Sequence, residues 1–186
     1  MKKTVCAFAL IFAALSLFAE KDKIVRFDLG LATGIPVYNK NDVSIDGNDS
    51  RAIFGSLADI AFRVTEPMRI VLGSDLMCDF TWDGGNHSHH VDYAFWGGIK
   101  VYPGFGGLST GLSYALGCRT DFVNDDETSG TSSSAWGNGF RLSIDYDFLY
   151  GTKYNCAPAL GGYYRLMPRG ENHWDNIFAV YITLGF

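Results

Sequence analysis

The run His87-Ser88-His89-His90 is the densest group of reactive side chains in the sequence. A serine beside an imidazole can be an acyl-transfer nucleophile whose proton the histidine accepts. Three imidazoles can instead clip a divalent cation, which makes His87, His89 and His90 weak candidate metal ligands. Both chemistries need the side chains to converge. The run lies in a polar stretch, Asp83 to His90, that reads as a solvated external connection, and His173 lies in another. The expectation is therefore no catalytic residue, no cofactor and no resident metal. A melting temperature that zinc leaves unchanged would dispose of the clip. The acidic stretch Asn124-Asp125-Asp126-Glu127, followed by Thr, Ser and Gly to Ser134, reads as an external loop rather than a calcium site. The pairs Gly97-Gly98 and Gly161-Gly162 sit inside strand-like segments, where they permit curvature, and form no phosphate loop.

The amino terminus has the three parts of an export signal. Lys2 and Lys3 precede an apolar run from Thr4 to Phe18, and Ala19 offers a small residue for cleavage, although Leu17 is bulky for its position. The run is short for a spanning helix of ~20 residues. The expected division is a signal peptide, 1–19, and one domain, 20–186. Cys6 has no lipobox before it. Without Lys2 and Lys3 the remainder carries 13 basic and 20 acidic residues, which argues against a nucleic-acid partner. No later run approaches ~18 apolar residues, so a chain that enters a membrane must do so as a closed barrel. Cys78, Cys118 and Cys156 match no zinc spacing and fall on apolar strand faces as small hydrophobes; one disulfide with a free thiol is the other option.

Period-two alternation recurs along the rest of the chain. It is clearest at the end, where Phe178, Val180, Ile182, Leu184 and Phe186 share one face and Ala179, Tyr181, Thr183 and Gly185 the other. Eight segments follow this rhythm: Ile24–Thr33, Ile53–Val64, Arg69–Trp82, Val91–Tyr102, Leu108–Phe122, Trp136–Phe148, Tyr154–Leu166 and Trp174–Phe186. The seventh is the weakest, because Pro158 removes a ladder donor. Long connections (35–52, 83–90, 123–135, 167–173) alternate with short ones (65–68, 103–107, 149–153), as in barrels that cross outer membranes. The predicted fold is all-β: an eight-stranded antiparallel up-and-down transmembrane β-barrel.

The composition of the polar face decides which side is outside. A soluble eight-stranded barrel would show water a face rich in Lys and Glu. Here that face is mostly Gly, Ala, Ser and Thr, which suits a narrow lumen. Its charges nearly balance. Arg26, Arg63, Arg69, Lys100, Arg119, Arg141 and Arg165 stand against Asp28, Asp59, Asp75, Asp79, Asp92, Asp121, Asp145 and Asp147. Buried charges must pair, so these residues are expected to form a lumenal ion-pair network. Arg141→Ala is expected to strand Asp145 or a cross-strand neighbour. Trp82, Trp136 and Trp174 mark the long-loop ends of the apolar face, and Tyr146, Phe148, Tyr154 and Phe186 the short-turn ends; these are the expected interface girdles.

With the terminal strand around Trp174-Asp175 and Phe186, the alternation of connections and the two girdles, the chain resembles the small eight-stranded outer-membrane proteins. That group includes OmpX, the transmembrane domain of OmpA and OmpW. OmpW-like proteins are the most similar, since they too finish on such a strand ending in Phe. The resemblance implies a bacterial outer-membrane location, lipid contact, and recognition of the carboxy-terminal strand by the barrel-assembly machinery. It also implies a passive conduit for small, often hydrophobic solutes, leaving sideways through the wall because eight strands leave no wide pore. OmpX-like proteins imply the alternative, an adhesion protein binding an extracellular ligand through its long loops; a purely structural role is the third. Some small barrels modify lipid A, but the His-Ser-His-His run does not match the deacylase motif, so the chain is not expected to be an enzyme.

Overall fold

The computed structural model describes residues 24–38, 50–124, 129–152, 156–169 and 174–186. The expected signal peptide, Tyr154, His173 and the acidic residues 125–127 lie outside the described residues. The described residues form nine strands: β1 (Val25–Tyr38), β2 (Ser50–Thr65), β3 (Met68–Asp83), β4 (Asn86–Val101), β5 (Leu108–Asn124), β6 (Ser129–Ser133), β7 (Gly137–Asp147), β8 (Ala157–Pro168) and β9 (Trp174–Gly185). Eight of them form a closed antiparallel barrel, and β6 is a short exposed strand on the upper part of β5.

Closure comes from β1 pairing with β9, from Asp28–Gly185 to Tyr38–Asp175. Phe27 and Phe186 exchange two further backbone hydrogen bonds, of 3.2 and 2.8 Å. A path along paired residues leaves β1 at Phe27 and passes Ile60, Leu72, Gly97, Tyr114, Phe140, Leu166 and Asn176. It returns to β1 at Val37, ten residues higher. A stagger of this size tilts the strands by roughly 40° to the axis, and eight strands leave a bore that side chains fill.

The two faces are sorted as the alternation dictates. Leu31 is 68% exposed and Val180 58%, whereas Ile177 and Met77, of similar hydrophobicity, are 0% exposed inside. Every barrel strand presents exposed Leu, Ile, Val or aromatic side chains outward, including Phe54, Leu72, Phe95, Leu112, Ile144, Leu160 and Ile182. Trp82, Trp136, Trp174, Tyr146 and Phe148 are exposed as well. Among the described residues the three cysteines are free thiols, so no disulfide forms between them. Cys78 is half-buried and Cys156 exposed, but Cys118 is buried, its thiol 3.2 Å from the Ser134 carbonyl.

Several boundaries differ from the sequence expectation. The polar stretch Asp83–His90 is not a long loop. Asp83 pairs with Asn86 across a two-residue Gly84-Gly85 turn, and Gly84 has φ +60°, which glycine adopts without strain. The three histidines therefore lie on β4. Within 123–135 the chain forms β6, and both strands flanking 39–49 run further than expected. The added length of β1 includes Pro36. Phe27 bonds to β9, so the even-numbered residues of β1 direct their backbone groups to β2. The β1–β2 ladder ends at Ala32–Gly55, so Pro36 withholds a donor where no partner strand waits. Pro158 likewise sits at the end of the β7–β8 ladder, where its carbonyl accepts from Phe148 N–H at 3.1 Å.

The lumen holds more apolar bulk than the expected lining of small residues. Leu57, Met77, Ile177 and Tyr181 pack in one cluster, and Val71, Trp96, Ala115 and Met167 in another. Gly73 makes room for one of these: a Cβ there would overlap the Trp96 indole, its partner across β3–β4. Gly73→Val should therefore displace Trp96 and destabilise the barrel by about 1–3 kcal/mol, the usual cost of overpacking. The check is the urea midpoint of the detergent-refolded variant, and a midpoint equal to that of the parent would refute it.

Candidate functional site

The lumenal charges are arranged in tiers along the barrel. At the short-turn end, Arg26 bonds Asp28 at 2.8–2.9 Å and also Asp147. Lys100 Nζ lies 3.3 Å from Asp145, which also accepts from Ser109 at 3.3 Å. Asp59 is buried beside them with one carboxylate oxygen unpartnered. Arg63 and Arg69 face each other across β2–β3, beside the register shift that ends β2, and the Arg69 guanidinium stacks 5.1 Å from the Tyr102 ring.

At mid-height Arg165, only 1% exposed, bridges Asp75 and Asp92. Arg141 sits 4.4 Å from the Trp96 ring and 4.3 Å from that of Tyr163, with Tyr181 at 5.8 Å. Its nearest carboxylate is Asp75, at 4.0 Å. Of the two partners expected for Arg141, Asp145 or a cross-strand neighbour, the structure places the second nearer, since Lys100 and Ser109 occupy Asp145. The aromatic cage was not foreseen, although Trp96 shares the parity of Asp92 and Lys100.

Toward the long-loop end, Arg169 bonds Asp92 at 2.8 Å, Asp175 at 2.5 Å and the Gly117 carbonyl at 2.8 Å. Arg119 bonds Asp175 at 2.7 Å and Asp121 at 2.8 Å. Arg51 grips Asp79 through two bonds, of 2.8 and 2.6 Å. Arg51, Arg169 and Asp175 were missed because the first two lie in segments read as loops; extending the strand parity past Ile53 and Leu166 would have found them. The contacts join into one chain, Arg141–Asp75–Arg165–Asp92–Arg169–Asp175–Arg119–Asp121, which rises from mid-barrel to the mouth.

His90 ends that chain. Its Nδ1 is 2.6 Å from Asp121 Oδ1, its Nε2 is 3.4 Å from Ser88 Oγ, and its ring lies 5.2 Å from that of Tyr38. His87 and His89 point the other way. Their rings are 4.9 Å apart on the outer face, where His89 packs edge-on against Phe80. Period two thus separates His87 and His89 from His90, and the three cannot converge on a cation. Among the described residues no three His, Cys, Asp or Glu side chains are grouped to hold a metal.

At the short-turn tier Asp59 and Lys100 line a space of about 10 Å³, room for about one water. Arg165→Ala should cost roughly 3–5 kcal/mol, because it leaves buried Asp75 with only Arg141, at 4.0 Å, and takes one of two guanidinium partners from buried Asp92. Arg141→Ala should cost less, since Arg165 still holds Asp75 and the loss is chiefly stacking, about 2 kcal/mol. Urea midpoints of both variants in one detergent test the order; an equal or reversed order would refute it.

The fold has solved counterparts. Ail, the attachment invasion locus protein of Yersinia pestis, matches with a TM-score of 0.57 at 8% identity, over 87% of this chain and 97% of that one. The outer-membrane protein OprG of Pseudomonas aeruginosa matches with a TM-score of 0.51 at 11% identity, over 87% and 93%. Neisserial surface protein A matches with a TM-score of 0.51 at 10% identity, over 88% and 98%. No family model and no curated protein matches the chain. At these identities the likeness is one of fold: this chain is a closed eight-stranded antiparallel β-barrel of the architecture found in small outer-membrane proteins.

Proposed function

We propose that the protein is exported by a signal peptide over residues 1–19 and assembled into a bacterial outer membrane, its Phe186 strand serving as the signal to the assembly machinery. There it acts as a sealed barrel whose working surface is the long-loop end. The observation that carries this reading is the side-chain filling of the lumen: the ion-pair chain and the Trp96, Met77 and Ile177 side chains are buried inside the barrel. The apolar belt on all eight strands supports the membrane setting, because such a surface is unfavourable in water and favourable against acyl chains. An interaction protein binding an extracellular ligand fits this geometry best. Ail has been solved in complex with the heparin analogue sucrose octasulfate. The excess of acidic residues here argues against the same polyanionic class of ligand.

A second reading, passage of a small hydrophobic solute through the wall, is favoured by one feature. The β1–β2 ladder stops at Ala32–Gly55 while β1 continues to Tyr38, and the Thr33 hydroxyl donates to the Ile53 carbonyl at 2.8 Å across the seam. Flux separates the two. The purified protein in liposomes should pass a short polar solute no faster than empty liposomes do. Faster polar uptake would refute the sealed lumen. Faster uptake of a similar-sized apolar solute alone would transfer the function to the seam.

A further inference from the structure

The long-loop mouth of the lumen carries a group that neither reading above uses. Ser88 and His90 are two residues apart on β4, so both face the lumen, and Asp121 on β5 is the direct cross-strand partner of His90. With its proton on Nδ1, His90 donates to Asp121 at 2.6 Å and turns the Nε2 lone pair toward Ser88 Oγ at 3.4 Å. We propose that Ser88 is an activated serine nucleophile for carboxylic esters that reach the mouth, with His90 as its base and Asp121 as the positioning carboxylate.

The surroundings favour that use over a chance contact. Asp121 is fixed independently of the histidine, because Arg119 Nε bonds both of its oxygens, at 2.8 and 3.1 Å, and Arg119 is anchored in turn on Asp175. The imidazole packs against the Tyr38 ring at an interplanar angle of 53°, so ring contact as well as the carboxylate limits its position. Its other cross-strand neighbour, Asp79, is engaged by Arg51 and does not compete for the ring. Ser88 is 2% exposed, so the pair works out of bulk water, where such hydrogen bonds are stronger. A nucleophile, a base within hydrogen-bond reach and a group orienting the base are the parts that serine acyl transfer requires, whatever the fold.

In the reaction Ser88 Oγ attacks the ester carbonyl carbon, and its proton passes to His90 Nε2. The bond from that carbon to the alkoxy oxygen breaks, and the leaving alkoxide takes the proton from His90. Water, deprotonated by His90 Nε2, then attacks the acyl carbon; the bond from that carbon to Oγ breaks, the carboxylic acid leaves, and Ser88 Oγ takes the proton back from His90.

The test uses the full chain, expressed with its own amino terminus and purified from membranes in detergent. The probe is methanesulfonyl fluoride, chosen for its small size. Its reaction forms an Oγ–S bond, expels fluoride and delivers the serine proton to His90. One methanesulfonyl group is expected on Ser88, located by peptide mass spectrometry, and it should disappear in urea-unfolded protein and in Ser88→Ala. His90→Gln should slow the labelling roughly 100-fold, the usual worth of a positioned base. Asp121→Asn should slow it while Asp121→Glu restores it, with folding of each variant followed by heat-modifiable migration on gels. Folded parent protein that stays unlabelled, a label on any other serine, or a label that unfolding does not abolish would overturn the proposal. These comparisons need no variant beyond the parent, so a variant that fails to fold does not shield it.

Discussion

A sheet whose outer face carries a continuous apolar belt has to close in a membrane, because an open edge would leave backbone N–H and C=O groups facing hydrocarbon without partners. In this chain that requirement rests on the pairing of the first strand with the last, carried down to the Phe27–Phe186 hydrogen bonds. Closure fixes the rest. It sets the ten-residue stagger, the stagger sets the tilt, and with eight strands the tilt sets a bore that side chains must fill. It also makes the terminal Phe186 a structural residue, since its backbone completes the ladder.

Closure converts the inward residues into an interior without solvent, where each unpaired charge is costly. The chain meets this by running its arginines and aspartates into a continuous series instead of isolated pairs. Arg165 and Arg169 each hold two carboxylates, and Asp92 and Asp175 each hold two guanidinium groups. Arg141 is treated differently, with three aromatic rings around its guanidinium. Stacking on ring faces stabilises a cation without requiring a further buried carboxylate. The same side chains that satisfy one another also fill the bore, so pairing and filling have one cause.

Fold and facing were legible because both depend on parity. Alternation from Phe178 to Phe186 and its repeats gave the strands, and the near absence of Lys and Glu on the polar face gave the orientation. Partners were not legible. Parity says that Arg141 and Asp145 share a face, but they are four residues apart along one strand, and the stagger of neighbouring strands decides what each meets. Strand ends were obscured by residues with two meanings. Pro36 withholds a backbone donor and is tolerated within β1 because β1 has lost one neighbour at that height. Asp83-Gly84-Gly85-Asn86 looked like the start of a loop, although a Gly-Gly pair between alternating segments is also the signature of a two-residue hairpin.

The histidine run shows most sharply how much one boundary decides. As a loop, four polar residues have no defined relation to one another, and neither a metal clip nor a dyad follows from them. As the first turns of a strand, the same four residues are divided by the pleat: His87 and His89 go outward to Phe80, and Ser88 and His90 go inward. Register then places an aspartate on each side of His90, Asp79 on β3 and Asp121 on β5. Two arginines determine how the two are used. Arg51 engages Asp79 with paired hydrogen bonds, while Arg119 approaches Asp121 through its Nε and extends its terminal nitrogen to Asp175, leaving an Asp121 oxygen within reach of the imidazole. The orientation of His90 toward Ser88 is thus the last consequence of the charge pairing that fills the barrel below it.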